Sequence, residues 1–123
     1  MGKLKILVVD DKKVIGDLFD FTLGFGGHAI TFADNAKSAV DAIKDKNFNI
    51  VFLDIIMPEK DGIETLKEIK TLSPNLPIVM MSGYSIEEKK VNAKQLGAVG
   101  CLKKPFEIDD VKKIIKLATG QDI

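Results

Sequence analysis

The sequence has one cysteine, one histidine, no net charge and no long apolar run, and each shortage removes a class of function. Cys101 alone cannot close an internal disulfide, which fits a reducing compartment, and the opening Met1-Gly2-Lys3-Leu4 has no signal-peptide pattern. His28 alone cannot build a histidine metal site or a proton relay; standing after Gly26-Gly27, it reads as a turn residue. Eighteen basic and eighteen acidic residues give no positive field to hold nucleic acid or an anionic membrane, so partners have to be recognised locally. No apolar stretch approaches the roughly 20 residues of a bilayer-spanning helix. A cytoplasmic protein without a membrane span is the expectation.

What the chain does contain is alternation. Short apolar runs at Leu4–Val9, Ala29–Ala33, Ile50–Leu53, Ile78–Met81 and Val99–Leu102 alternate with longer amphipathic segments. The segments carry helical spacing: Val14, Leu18, Thr22 and Phe25; Ala36, Ala39, Val40 and Ile43; Ile63, Leu66 and Ile69; a weaker set of Ile86, Val91 and Leu96; and Val111, Ile114, Ile115 and Ala118. Asp11, Asn35, Asp61 and Ser85 stand where a side-chain oxygen caps a first turn, and Gly26, Gly27 and Gly97 stand where helices end. Runs such as Ile50-Val51-Phe52-Leu53, apolar at every position, fit strands covered on both faces. Right-handed crossovers then give a (βα)₅ doubly wound parallel sheet within one domain, residues 1–123. Phe19, Phe21, Phe25 and Phe32 are core candidates. Cys101 reads as a small apolar residue, and Glu87-Glu88-Lys89-Lys90 as a solvated helix face.

In an open parallel sheet, ligands gather outside the carboxyl ends of the strands. The first strand ends in Asp10-Asp11, the third in Asp54, the fourth in Ser82-Gly83 and the fifth in Lys103-Lys104-Pro105-Phe106. If the first and third strands are neighbours, three carboxylates meet. Two carboxylates about 5 Å apart repel by roughly 3 kcal/mol at an effective dielectric of 20, so a cation is required. Mg²⁺ suits such a site, because it keeps several waters and bridges one or two carboxylates to a phosphate. Lys104 adds positive charge, Ser82 offers a hydroxyl to a phosphoryl oxygen, and Gly83 leaves room for backbone approach. These groups describe a phosphoryl-transfer site with a carboxylate nucleophile. Asp10 and Asp11 form a pair fit to hold metal, whereas Asp54 emerges alone from an apolar strand and is the expected nucleophile. Pro58 turns the chain after Asp54, so that the Ile56 carbonyl can face the metal.

The segments Val8-Val9-Asp10-Asp11, Leu53-Asp54-Ile55-Ile56-Met57-Pro58-Glu59-Lys60-Asp61-Gly62, Met81-Ser82-Gly83 and Lys104-Pro105-Phe106 resemble, in order and spacing, the receiver domains of bacterial response regulators, and the resemblance runs along essentially the whole chain. It implies a flavodoxin-like strand order 2-1-3-4-5, Mg²⁺ held by Asp10, Asp11, Asp54 and the Ile56 carbonyl, and a phosphoryl group passed to Asp54 from a histidine kinase or phosphotransfer protein. It also implies contacts from Ser82 and Lys104 to the phosphoryl oxygens, a cis Lys104-Pro105 bond, and an output surface of helix 4, strand 5 and helix 5 that meets an effector protein. The molecule is expected to be a monomer or a phosphorylation-dependent dimer, with no direct nucleic-acid contact. Phosphorylation and dephosphorylation are self-catalysed in such domains, which act in signalling and are not enzymes in their own right.

Two positions set this chain apart. The aromatic residue that such domains usually carry three positions before the lysine is here Cys101, so ring rotation is not expected to report phosphorylation. Ile56 and Tyr84 flank the acceptor and Ser82 and should shield an acyl phosphate from water, which predicts slow decay.

Other readings compete. Singly, Asp10-Asp11 can be a helix cap, Ser82 a turn residue and Lys104 a surface charge. An aspartyl phosphohydrolase would carry a second Asp two residues after its nucleophile, but Asp10 is followed at that distance by Lys12. A flavin domain would place a phosphate-cradling loop after the first strand, where the acidic pair repels phosphate. A pseudo-receiver that binds partners without phosphorylation is the main alternative.

Overall fold

The computed structural model describes residues 3–57, 61–83 and 87–123, with the side chains of 87–89 excepted. Among the described residues ten strands and helices alternate: β1 (Lys5–Val9), α1 (Lys13–Leu23), β2 (Ala29–Ala33), α2 (Ala36–Asp45), β3 (Ile50–Asp54), α3 (Gly62–Leu72), β4 (Ile78–Ser82), α4 (Glu87–Gln95), β5 (Gly100–Lys103) and α5 (Ile108–Thr119). A 3₁₀ turn, Gly24–Gly26, extends α1. All strand pairings are parallel, in the order β2-β1-β3-β4-β5.

Period-two alternation along each strand splits the core into two layers. Leu7, Val9, Val51, Leu53, Ile78 and Met80 face one side, under α2, α3 and α4. Ile6, Val8, Ile50, Phe52, Val79 and Met81 face the other, under α1 and α5. Burial of both faces is why β3 and β4 are apolar at nearly every position. Each large buried side chain contributes about 1.5–3 kcal/mol. The Phe19 ring of α1 meets Phe52 of β3 at 4.8 Å and Phe106 at 5.9 Å, so α1, the central strand and the turn after β5 share one contact.

The ends of the elements follow local chemistry. Asn35 accepts from the Ser38 N–H at 2.8 Å and Asp61 from the Ile63 N–H at 2.7 Å, both as N-caps. Ser85 lies outside the described residues. Asp11 does not cap α1. The N-cap is Lys12, without a side-chain bond, and the side chain that bonds into the turn leaving β1 is Asp10, which accepts from the Lys12 N–H. Gly27 and Gly97 close their segments in the left-handed region, at φ 90° and 103°, as glycine permits. His28 is a turn residue whose Nδ1 accepts from the Leu4 N–H at 2.9 Å; burial, helped by Lys3, lowers its pKa.

The inward face of α1 is not the expected one. Gly16, Phe19 and Leu23 are buried, while Val14 is 65% exposed, Leu18 39%, Phe21 71% and Phe25 83%. Phe21 and Phe25 are therefore not core residues, whereas Phe19 is buried and Phe32 half-buried. Helical spacing alone cannot choose between two apolar stripes. The choice is made by Gly16: a Cβ there would overlap the Phe32 ring, so this face alone lets the helix lie close to β2. On α4, Val91 is also exposed and Ala93 is the buried residue; Ile86 and the side chains of 87–89 lie outside the described residues.

Candidate functional site

Register brings the site together. Val9 of β1 pairs with Leu53 of β3, so Asp10 leaves the sheet beside Asp54. Asp54 in turn pairs with Met81 of β4, and Ser82 with Lys103 of β5, which sets Ser82 and Lys104 on the same carboxyl-terminal rim. The Lys104 N–H donates to the Ser82 carbonyl at 2.7 Å, and the Lys104–Pro105 bond is cis.

Asp10 and Asp54 are buried, as is Ser82; Asp11 is exposed at the mouth. The Lys104 ammonium reaches both buried acids, donating to Asp10 Oδ2 at 2.5 Å and to Asp54 Oδ2 at 3.3 Å. The remaining oxygens are met by backbone: Asp10 Oδ1 accepts from the Lys12 N–H at 2.9 Å and Asp54 Oδ1 from the Ile56 N–H at 3.3 Å. Ile56 thus turns its N–H to Asp54, and the residue is 48% exposed. Cys101 is half-buried on β5 and packs against the layer under α2 to α4.

The electrostatics follow from this packing. Burial pushes the Asp54 pKa up to about 6, and the Asp10 charge adds to the rise; the Lys104 ammonium and the Ile56 N–H oppose both. Burial alone would lower the Lys104 pKa, but its hydrogen bond to Asp10 and the charges of Asp54 and Asp10 outweigh that and hold it above the ordinary lysine value. One ammonium therefore stabilises two buried acids, and only partly offsets the cost of ionising the second.

Oxygens of Asp10, Asp11 and Asp54 lie within 4.8 Å of one another. Three carboxylates are hard oxygen donors of the kind that hold Mg²⁺, so this set fits that ion. The sequence placed Lys104 as a second positive charge among the carboxylates; the structure adds its direct bonds to Asp10 and Asp54.

The role of Gly62 was also missed. It is the first residue of α3, and its N–H donates to the Ile55 carbonyl at 2.8 Å. A Cβ at Gly62 would overlap the Asp54 carbonyl oxygen and the Ile55 backbone. The Asp61-Gly62 pair therefore docks α3 directly against the Asp54–Ile55 backbone, and a glycine straight after a capping Asp was the available signal.

Known proteins agree with this architecture. The response regulator receiver domain family model matches residues 6–116. The transcriptional regulatory protein FixJ of Bradyrhizobium diazoefficiens is 38% identical over 116 residues, covering 94% of this chain and 57% of FixJ. The receiver domain of NtrX from Brucella abortus superposes with a TM-score of 0.88 at 39% identity, covering 96% of this chain and all of that one (100%). A CheY-like receiver domain protein from Methanospirillum hungatei gives a TM-score of 0.91 at 29% identity, over 97% of this chain and 95% of that one. The chain spans between 25% and 57% of ZraR of Klebsiella oxytoca and FixJ, two of the curated relatives it matches. Receiver domains are signalling phosphoacceptors that interact with histidine kinases and effector domains and generally use Mg²⁺. No helix among the described residues is long and apolar enough to cross a membrane. The chain belongs to the response regulator receiver domain family.

Proposed function

We propose that this chain accepts a phosphoryl group on Asp54 from the phosphohistidine of a histidine kinase or phosphotransfer protein, and that the modified rim alters a protein-docking surface. The observation that carries the reading is the Lys104 ammonium held between two buried acids, Asp10 and Asp54, with an Asp11 oxygen within 4.8 Å of both. A lysine placed so gives the acceptor oxygen a cation before any phosphate arrives.

In the transfer, an Asp54 carboxylate oxygen forms the new P–O bond while the P–N bond to the donor imidazole breaks, and the imidazole leaves with the bonding pair and takes a proton. Attack needs Asp54 ionised, and its pKa of about 6 leaves it so at neutral pH. Asp10, Asp11, Asp54 and the Ile56 carbonyl would hold Mg²⁺, which when bound supplies charge neutralisation and orients phosphoryl oxygens. Lys104 releases Asp54 and keeps contact with the incoming oxygens, and the Ser82 hydroxyl donates to another. Self-catalysed loss of the group is slowed where Ile56 covers the approach of water; Tyr84, the other expected shield, lies outside the described residues.

The added charge, about −1.5 to −2, draws Ser82 and Lys104 inward and so reaches β5 and the segments beside it. Output then passes through α4, β5 and α5 to an effector protein, without an aromatic rotamer, because Cys101 stands at that place.

The test is incubation with phosphoramidate or acetyl phosphate, with and without Mg²⁺, followed by intact mass. One added phosphoryl group that requires Mg²⁺ and is absent from Asp54→Asn is expected. No uptake by the wild-type chain would leave the pseudo-receiver reading instead.

A further inference from the structure

The pole of the sheet opposite the phosphoacceptor rim holds the one histidine of the chain, and the phosphoryl chemistry makes no use of it. Asp10 follows β1 at the rim, whereas Lys3 and Leu4 precede it at the other end. Two bonds tie these residues to the turn between α1 and β2. The Lys3 ammonium donates to the Gly26 carbonyl at 2.6 Å, and the Leu4 N–H donates to His28 Nδ1 at 2.9 Å. Leu4 is a buried core residue whose carbonyl accepts from the Ala29 N–H at 2.9 Å, so the imidazole completes the backbone bonding of this position. An imidazole nitrogen that accepts a backbone N–H carries no proton of its own, and the ring is neutral, with its proton on Nε2. Protonation would set a second donor against the Leu4 N–H, so ring and backbone have to part.

We infer that His28 is an acid-sensitive clamp: neutral, it fastens the start of β1 to the α1–β2 turn, and protonated, it lets the two go. The charges around it favour release. Lys3 faces the ring, with its stem lying over Gly27, where a Cβ would come 2.9 Å from Nζ. Lys5, at the start of β1, is also a cation, and residues 24–29 carry no charged side chain besides His28 itself. On α1, the Asp20 carboxylate stands against Gly24. Burial first, and Lys3 second, hold the His28 pKa below the ordinary histidine value. The folded chain thus binds this proton less tightly than the unfolded chain. The clamp contributes in full above the ordinary value and is lost as pH falls through the lowered one. β2 is an edge strand paired with β1 alone, and its first residue, Ala29, is exposed, so the loosened end frays away from the rim.

Proton–nitrogen NMR of the whole chain, titrated from about pH 8 to about pH 5, tests this. At the alkaline end the imidazole proton should sit on Nε2. The Leu4 amide shift should titrate with the His28 midpoint. Its exchange protection, corrected for the intrinsic rate, should fall roughly tenfold or more across that midpoint. His28→Asn sets a carboxamide oxygen near the place of Nδ1 and takes no proton in this range, so its Leu4 protection, whatever its level, should not follow pH. By urea unfolding, wild-type stability relative to His28→Asn should fall along the same midpoint, a difference in which the titration of Asp54 cancels. A proton on Nδ1 at about pH 8, or a Leu4 amide indifferent to the His28 titration, would overturn the inference. So would a His28→Asn chain whose Leu4 protection falls with pH as the wild type's does.

Discussion

Asp54 is an ionisable group held where its charge is disfavoured, so its removal should stabilise the metal-free fold. Its pKa rises from 3.8 to about 6, chiefly through burial and then through Asp10. A rise of about 2 units at 1.36 kcal/mol each corresponds to about 3 kcal/mol. The sign follows from proton binding. The folded chain holds the Asp54 proton more tightly than the unfolded chain, so the stabilisation is complete below the unfolded value of 3.8 and is lost as pH rises through about 6. Asp54→Asn mimics the neutral side chain, and its one amide oxygen keeps one of the two bonds that Lys104 and the Ile56 N–H make to the carboxylate. With a chelator present at about pH 8, urea unfolding should show the variant more stable by about 2–3 kcal/mol, and the gap should close toward about pH 4. Added Mg²⁺ should stabilise the wild type and leave the variant unmoved, narrowing the gap in proportion to RT ln(1 + [Mg²⁺]/Kd). Equal stability of the two proteins at about pH 8 with chelator would refute the claim that the acceptor is electrostatically strained.

Further outcomes follow from individual contacts. Lys104→Met leaves two buried acids without their shared cation and should cost about 3–5 kcal/mol in chelator, read by urea unfolding, with partial recovery on adding Mg²⁺. Gly62→Ala drives a methyl into the Asp54 carbonyl oxygen and should destabilise by about 3 kcal/mol or more while slowing phosphoryl uptake, read by unfolding and intact mass. Phe19→Ala removes the ring shared with Phe52 and Phe106 and should cost about 3–5 kcal/mol in thermal or urea unfolding. The phosphorylated chain should decay slowly in Mg²⁺ buffer, and Ile56→Gly should speed that decay; a wild-type half-life of only seconds in a phosphate-release assay counts against shielding by Ile56.

Much of this molecule is legible in its sequence because two simple constraints coincide. Strands buried on both faces must be apolar throughout, which marks Ile50–Leu53 and Ile78–Met81. The chain then changes character abruptly at the carboxyl end, which marks Asp54 and Ser82. Asn35 and Asp61 could be read as caps because each stands directly before its periodic segment. Asp11 could not be placed so, because only the folded chain shows the helix starting one residue later, after Lys12.

The α1 face failed for a related reason. Two apolar stripes share that helix, and the stripe that packs is the one carrying Gly16, a residue that an apolar count ignores. Gly62 was passed over likewise, since a close backbone approach leaves no hydrophobic signature. Proximity of Lys104 to Asp10 depends on where the fifth strand ends beside the first and third, which no local pattern encodes.

The account turns on Asp54 being the one oxygen nucleophile that this rim prepares. Trapping the phosphorylated chain with borohydride, which reduces an acyl phosphate to an alcohol, and mapping the peptides by mass spectrometry reads that directly. The account predicts reduction at Asp54 alone, dependent on Mg²⁺ and on Lys104. Reduction at Asp10 or Asp11, or a phosphoryl group that resists borohydride because it sits on a hydroxyl, would contradict it.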